Sequence, residues 1–425
     1  MMKKATTRNA WAWIPSLYFA QGIPYVVVMT VSVVMYKRLG LSNTDIALYT
    51  SWLYLPWVIK PIWSPLIDSL RTKRFWIISM QLLVGGGLAG VAFTLPASNF
   101  VQYSLAFLWL MAFSSATHDI AADGFYMLGL SEHQQAFFVG IRNTFYRLAM
   151  LAGQGPLVIL AGYLENTSTN LSVAWSITFF ILAALFIAFF LWHMLILPHP
   201  PADEKRGENI REVLADFGET FLSFFQKKGI VSGLLFILVF RLGEAQLVKL
   251  ASPFMLDEAS KGGLGLTTED IGFIYGVAGI IALTLGGILG GIAVARHGIG
   301  KWLWPMVLAM NVPNLVYVYL AFAQPANLAV ITSCVIAEQF GYGFGFTAYM
   351  LYMIYLSQGD HKTAHYALCT GFMALGMMLP GMVSGKVQEM IGYQHFFIWV
   401  LICTVPGFIV AAFLKIDPSF GTKKA

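Results

Sequence analysis

Residues 101–130 read VQYSLAFLWLMAFSSATHDIAADGFYMLGL, an apolar run interrupted by His118, Asp119 and Asp123. A membrane-crossing helix needs about 20 predominantly apolar residues. A carboxylate at its centre costs roughly 2.5–3.5 kcal/mol on insertion scales. Residues that costly normally face a bundle interior or a wet cavity, and often mark a proton or substrate path. Four positions apart, Asp119 and Asp123 share one helix face. The stretch predicts a membrane helix whose polar face is turned from lipid.

The rest of the chain extends this reading. Of its 425 residues 58% are hydrophobic and 11% charged, where a soluble domain carries roughly 25% charged residues. The mean hydropathy is +0.69. The expected fold class is an all-α polytopic membrane protein. Apolar runs at 11–36, 45–67, 75–95, 101–128, 135–162, 172–196, 229–254, 270–294, 302–323, 327–355, 364–388 and 394–415 predict twelve transmembrane helices. Lys3, Lys4 and Arg8 precede a first run longer than the 7–15 residues of a signal-peptide core, which reads as the first span. A polar stretch, 198–228, divides the chain into an N-terminal six-helix bundle (1–197), a cytoplasmic linker and a C-terminal six-helix bundle (229–425). Within the linker Val213, Phe217, Phe221 and Phe224 form an apolar stripe that predicts an interfacial helix.

The two sets of six echo each other. Basic turns follow the second span (Arg71, Lys73, Arg74) and the eighth (Arg296, Lys301). Tyr126-Met127-Leu128-Gly129-Leu130-Ser131 after the fourth span matches Tyr352-Met353-Ile354-Tyr355-Leu356-Ser357 after the tenth. Matches at a near-constant offset are the mark of duplication. Placing both termini and the linker in the cytoplasm leaves only Lys37, Arg38 and Lys261 among the basic residues outside, as the positive-inside rule requires. Twelve spans in two repeats resemble the major facilitator architecture, whose binding cavity lies near mid-membrane between the halves.

By that resemblance spans 1, 4, 7 and 10 line the cavity. They carry Gln21; His118, Asp119 and Asp123; Arg241, Glu244 and Lys249; and Glu338. Asp119, Asp123, Glu244 and Glu338 are candidate proton-coupling groups, because burial and a nearby cation shift a carboxylate's pKa in opposite directions. The alternative reading of Asp119 and Asp123 is a structural ion pair with Arg142 or Arg147, with Arg147 the better internal candidate. Arg241 and Glu244, three apart, read equally as a self-neutralising pair. Lys60 either binds substrate or snorkels. His118 and His365 are candidate proton carriers or substrate contacts, or hydrogen-bonded packing residues. Asp68, Arg71, Arg74 and Arg296 are candidate gate residues. Aromatic side chains of the second span (Trp52, Tyr54, Trp57, Trp63) and tenth span (Tyr342, Phe344, Phe346, Tyr349) read mainly as packing. The glycines of 286–291 read as a close helix contact.

Cys334, Cys369 and Cys403 lie in apolar runs with no metal-ligand spacing, so no disulfide framework, metal or cofactor is expected. No nucleophile elbow appears, and the chain does not read as an enzyme. A net charge of +5 needs no nucleic acid to explain it.

Four stretches resemble the AmpG family of muropeptide permeases, which also includes acetyl-CoA transporters. They are Tyr18-Phe19-Ala20-Gln21-Gly22-Ile23-Pro24, Lys60-Pro61-Ile62-Trp63-Ser64-Pro65-Leu66-Ile67-Asp68, Ala116-Thr117-His118-Asp119-Ile120-Ala121-Ala122-Asp123-Gly124 and Tyr146-Arg147-Leu148-Ala149-Met150. In the second half Ala364-His365-Tyr366-Ala367-Leu368 is similar to a further family segment. The resemblance implies proton-driven import of cell-wall sugar-peptide fragments across a bacterial inner membrane. It implicates Lys60, Asp119, Asp123 and Arg147. Arg147 or Lys249 would hold an anionic substrate group, with Gln21, Lys60, His118, Arg241 and His365 as further candidate substrate contacts. The expected partners are a small-molecule solute, protons and the lipid bilayer, for a monomeric chain. Import of another sugar, an organic anion or an acyl-CoA, and a non-transporting sensor on the same fold, are the alternatives.

Overall fold

The computed structural model describes residues 9–168, 170–201, 203, 210–359, 361–417 and 420. Every regular element among them is helical. Ten helices are long and apolar enough to cross a membrane. Two departures reconcile ten with the twelve expected spans. The second span is split into Asn43–Trp52 and Leu55–Leu70 by a turn at Leu53-Tyr54. The last apolar helix, Ala364–Ala412, runs 49 residues. At 1.5 Å per residue that is about 75 Å, far beyond a hydrocarbon core of about 30 Å. Gly392, at φ 72° and ψ 166°, breaks it into two helices, a backbone conformation open to glycine. The described helices expose large apolar side chains such as Phe93, Ile181, Leu195, Ile288 and Ile409. A protein surrounded by water would bury such surface.

Helix pairing repeats. In the first half the first span packs on the fifth, and the third on the fourth; in the second the seventh packs on the eleventh, and the ninth on the tenth. The glycines of 286–291 act as expected. A Cβ on Gly286 would lie 2.2 Å from the carbonyl oxygen of Phe340, so the eighth and tenth spans approach backbone to backbone.

By contacts the chain forms two compact units, 1–32 with 59–217 and 33–58 with 218–425. The hairpin 33–58 thus groups with the C-terminal helices. Both its joints fall beside helix irregularities. Pro24 lacks the N–H that would bond one turn back, and the wide-turn segment Val27–Val31 follows it. The other joint follows the Leu53-Tyr54 turn.

Within the second unit a polar network docks this hairpin. Lys37 Nζ lies 2.7 Å from Asp257 Oδ2 and donates to Asn43 Oδ1 at 2.8 Å. Asn43 Nδ2 donates to Gln388 (2.6 Å) and to the Tyr393 hydroxyl (2.8 Å), which donates to Asp257 (2.6 Å). Thr44 donates through N and Oγ1 to Glu389. Close approach is made possible by Gly385, whose added Cβ would sit 2.0 Å from the carbonyl oxygen of Asn43. Gly385→Val therefore forces the hairpin off the eleventh span. A thermal melt in detergent should show a loss of about 1–3 kcal/mol, the usual range for overpacking a tight contact; an unchanged melt would contradict this contact.

The linker contains the helix Ile210–Phe225. The side chains of 210–217 lie outside those described, Val213 and Phe217 among them. In the second unit Phe224 is fully buried and stacks on Phe372 at 6.3 Å. This end of the helix therefore packs on protein.

Candidate functional site

Each unit carries its own polar cluster. In the first unit Asp119 and Asp123 meet cations from different helices. Asp119 Oδ2 lies 3.6 Å from Lys60 Nζ, and Asp123 Oδ1 lies 3.3 Å from Arg142. Lys60 thus reaches a carboxylate instead of snorkelling. Arg142 donates to the Tyr18 hydroxyl (3.0 Å), which donates to Asp123 (3.4 Å). The guanidinium also lies over the rings of Tyr18 (4.7 Å) and Tyr126 (4.9 Å), an attraction to the negative ring face.

Arg142, not Arg147, is the ion-pair partner. The reason is helix phase: five residues apart, the two arginines point some 140° apart. Arg147 is exposed and forms no ion pair among the described residues. Gln21 is buried, and its Oε1 has no hydrogen-bond partner among the described residues. His118 turns to the third span. Its Nε2 lies 3.1 Å from Gln81 Nε2, Gln81 Oε1 lies 2.9 Å from His193 Nδ1, and His193 Nε2 lies 2.9 Å from Ser16 Oγ.

In the second unit Arg241, Glu244, Lys249 and Glu338 are all buried. Arg241 and Glu244 do not neutralise each other through an ion pair among the described residues. Arg241 instead donates to the Tyr342 hydroxyl and lies over the rings of Tyr342 (5.5 Å) and Phe346 (5.1 Å). Arg241 Nε and Glu244 Oε2 have no hydrogen-bond partner among the described residues. Lys249 donates to Thr50 Oγ1 (3.0 Å) and lies 5.0 Å from the Tyr54 ring centroid. Glu338 accepts from Tyr317 (3.4 Å) and from the neighbouring Gln339 amide (3.0 Å). Tyr275 and Tyr317 touch through their hydroxyls. Tyr342, Phe346 and Tyr54 therefore hold cations as well as packing, while Tyr349 lies in the core.

Buried carboxylates and cations on helices of this apolarity are costly, and such residues are usually functional. The Major Facilitator Superfamily model matches residues 16–385. The chain belongs to that superfamily. The Escherichia coli (strain K12) anhydromuropeptide permease is 24% identical over 410 residues, 93% of this chain and 77% of that one. A Rickettsia conorii protein carrying the name AmpG 4 is 26% identical over 411 residues, 94% of this chain and 95% of that one. Among solved structures, a bacterial homolog of the human lysosomal transporter Spinster superposes with a TM-score of 0.69 at 17% identity, covering 94% of each chain. The D-xylose-proton symporter gives 0.69 at 12% identity, covering 96% of this chain and 97% of that one. At these identities the structures share the fold. The chain is an AmpG-like secondary transporter and a multi-pass membrane protein.

Other candidate residues of this major facilitator chain lie away from the two clusters. His365 Nε2 lies 3.0 Å from Ser223 Oγ and 3.2 Å from the Thr220 carbonyl, so it binds the linker helix. Arg74 donates to the carbonyls of Met194 and Leu197, capping the sixth span, while Asp203 accepts from the backbone N–H groups of Lys73 and Arg74. A carboxylate there also complements the helix dipole. Arg71 is exposed and lies over Phe75 at 5.5 Å. Arg296 is exposed and forms no ion pair among the described residues. The side chain of Asp68 lies outside those described. Sequence reasoning passed over Gln81, His193 and Tyr317, and met Tyr18 only inside a family-like segment. Gln81 and His193 carried one usable signal, a polar side chain inside an apolar span.

Proposed function

We propose that this transporter imports cell-wall amino-sugar and anhydromuramyl-peptide fragments across a bacterial inner membrane, driven by protons, through alternating access of two six-span halves joined by 198–228. Asp119 and Asp123 carry the coupling proton, and Glu244 and Glu338 are further protonatable groups. The observation behind the coupling assignment is that each aspartate is matched to a cation of a different helix, Lys60 and Arg142. Protonating such a carboxylate releases the cation and changes which helices are held together. Support for the solute class comes from the name of the Escherichia coli permease and its 93% coverage of this chain. Gln21, Arg241, Lys249 and His118 supply donors and charges suited to hydroxyl, amide and carboxylate groups.

The test is uptake of radiolabelled anhydromuropeptide by proteoliposomes, with and without an inward proton gradient. Gradient-stimulated accumulation is the expected result. Uptake that ignores the gradient would remove proton coupling. Absence of uptake, with xylose or acetyl-CoA accumulating instead, would replace the solute.

A further inference from the structure

The linker helix Ile210–Phe225 ends four residues before the seventh span begins at Ile230. From Gly218 on, its side chains fall into three sectors. Phe224 is fully buried, and Phe221 packs with it in the core of the second unit. Thr220 and Ser223 flank that sector and meet His365. Leu222 and Phe225 form a second sector and are 62% and 38% exposed. At 100° per residue they lie about 160° and 100° round the helix from Phe224. Glu219 is exposed on a third, polar sector, about 140° from Phe224 in the other sense. The ring of Phe225 lies 6.2 Å from that of Phe372. Phe372 is eight residues beyond Ala364, where the apolar helix of the eleventh span starts, or about 12 Å along it at 1.5 Å per residue. Phe225 is therefore level with a membrane-spanning helix. The next exposed apolar residues along the chain, Val231 and Leu235, are on the seventh span itself.

We propose that Leu222 and Phe225 anchor the linker helix in the phospholipid leaflet at this end of the seventh and eleventh spans, whatever solute the protein carries. The exposed apolar sector continues the surface that the seventh span turns to lipid through Val231 and Leu235. Leu222 and Phe225 enter the boundary between headgroups and acyl chains, and Glu219 stays in the aqueous layer. A helix seated in this way is held by the apolar area it buries in the leaflet. Phe224 holds the same turns on the eleventh span by stacking on Phe372. The linker thus has two attachments, one to protein and one to lipid. Together they fix the height of the His365 end of the eleventh span against the bilayer surface.

Depth measurements in phospholipid nanodiscs test the anchor. Leu222→Cys, Phe225→Cys and Glu219→Cys are made singly in full-length protein whose Cys334, Cys369 and Cys403 are replaced by alanine. Each carries a fluorescent label, read against phospholipids spin-labelled at different depths and against iodide in the water. Labels at 222 and 225 should lie about 5–10 Å below the headgroup level, and the label at 219 should be open to iodide. Unlabelled wild-type protein supplies a second reading that needs no substitution. A phospholipid with a photoreactive aryl diazirine near its ester groups should add covalently to Leu222 or Phe225, as read by mass spectrometry of the peptide that contains them. Labels at 222 and 225 as open to iodide as the label at 219 would place both side chains in water and overturn the anchor. Labels shielded from iodide and from the lipid spin labels alike would overturn it in favour of a second copy of the chain. Wild-type protein that takes no lipid adduct at either residue would overturn it as well.

Discussion

Asp119→Asn should reduce gradient-driven uptake to the level of empty vesicles while the folded protein remains in the membrane. Asn keeps the shape and loses the negative charge that Lys60 meets at 3.6 Å. It also loses the ability to take and release a proton. The stranded ammonium should cost about 1–3 kcal/mol, because the Lys60 side chain is 28% exposed and keeps contact with water. Two roles are separable by a second substitution. If Asp119 serves only as a structural counter-ion, Lys60→Met with Asp119→Asn removes both charges and restores driven uptake. If it carries the coupling proton, the double variant recovers stability and solute exchange but still fails to accumulate against a gradient. Full proton-dependent accumulation by Asp119→Asn alone would end the coupling assignment.

Lys37→Ala should be the most destabilising single change in the hairpin. Its side chain and that of Asp257 are 13% and 12% exposed. Removing one partner of a pair so enclosed costs about 3–5 kcal/mol, mostly because the other charge stays behind unpaired. Among the described residues Asp257 would keep only the Tyr393 hydroxyl, and Asn43 Oδ1 would lose the donor that holds it. Adding Asp257→Asn should return more than half of the loss, since the stranded carboxylate is gone. Thermal melts of the four proteins in one detergent complete the cycle. Strictly additive losses would mean that the pair is not coupled and that other contacts hold the hairpin.

How much of this was open to sequence reading depended on range. Span positions came from local composition, because a bilayer imposes one length and one polarity on every crossing helix. The 6+6 repeat and the polar face of 118–123 were legible for the same reason. Two span limits deceived at short range: no apolar count reveals the turn at Leu53-Tyr54, and Gly392 breaks a helix that composition leaves continuous. The sites were legible only as an inventory. Asp119, Asp123, Glu244 and Glu338 announced themselves by the cost of burying charge. Their partners did not, because a partner is chosen by helix phase and packing.

The sequence by itself determined an all-helical membrane protein with its charges in named spans, since hydropathy and helical period are properties of neighbouring residues. Only the tertiary structure decided that Asp123 meets Arg142 and Tyr18 rather than Arg147, that Arg241 turns to Tyr342 rather than Glu244, and that 33–58 docks through Lys37 and Asn43. Those choices join residues up to 350 positions apart. Each is set by which side chains a packed helix bundle brings within about 4 Å of one another, a quantity that no local pattern carries.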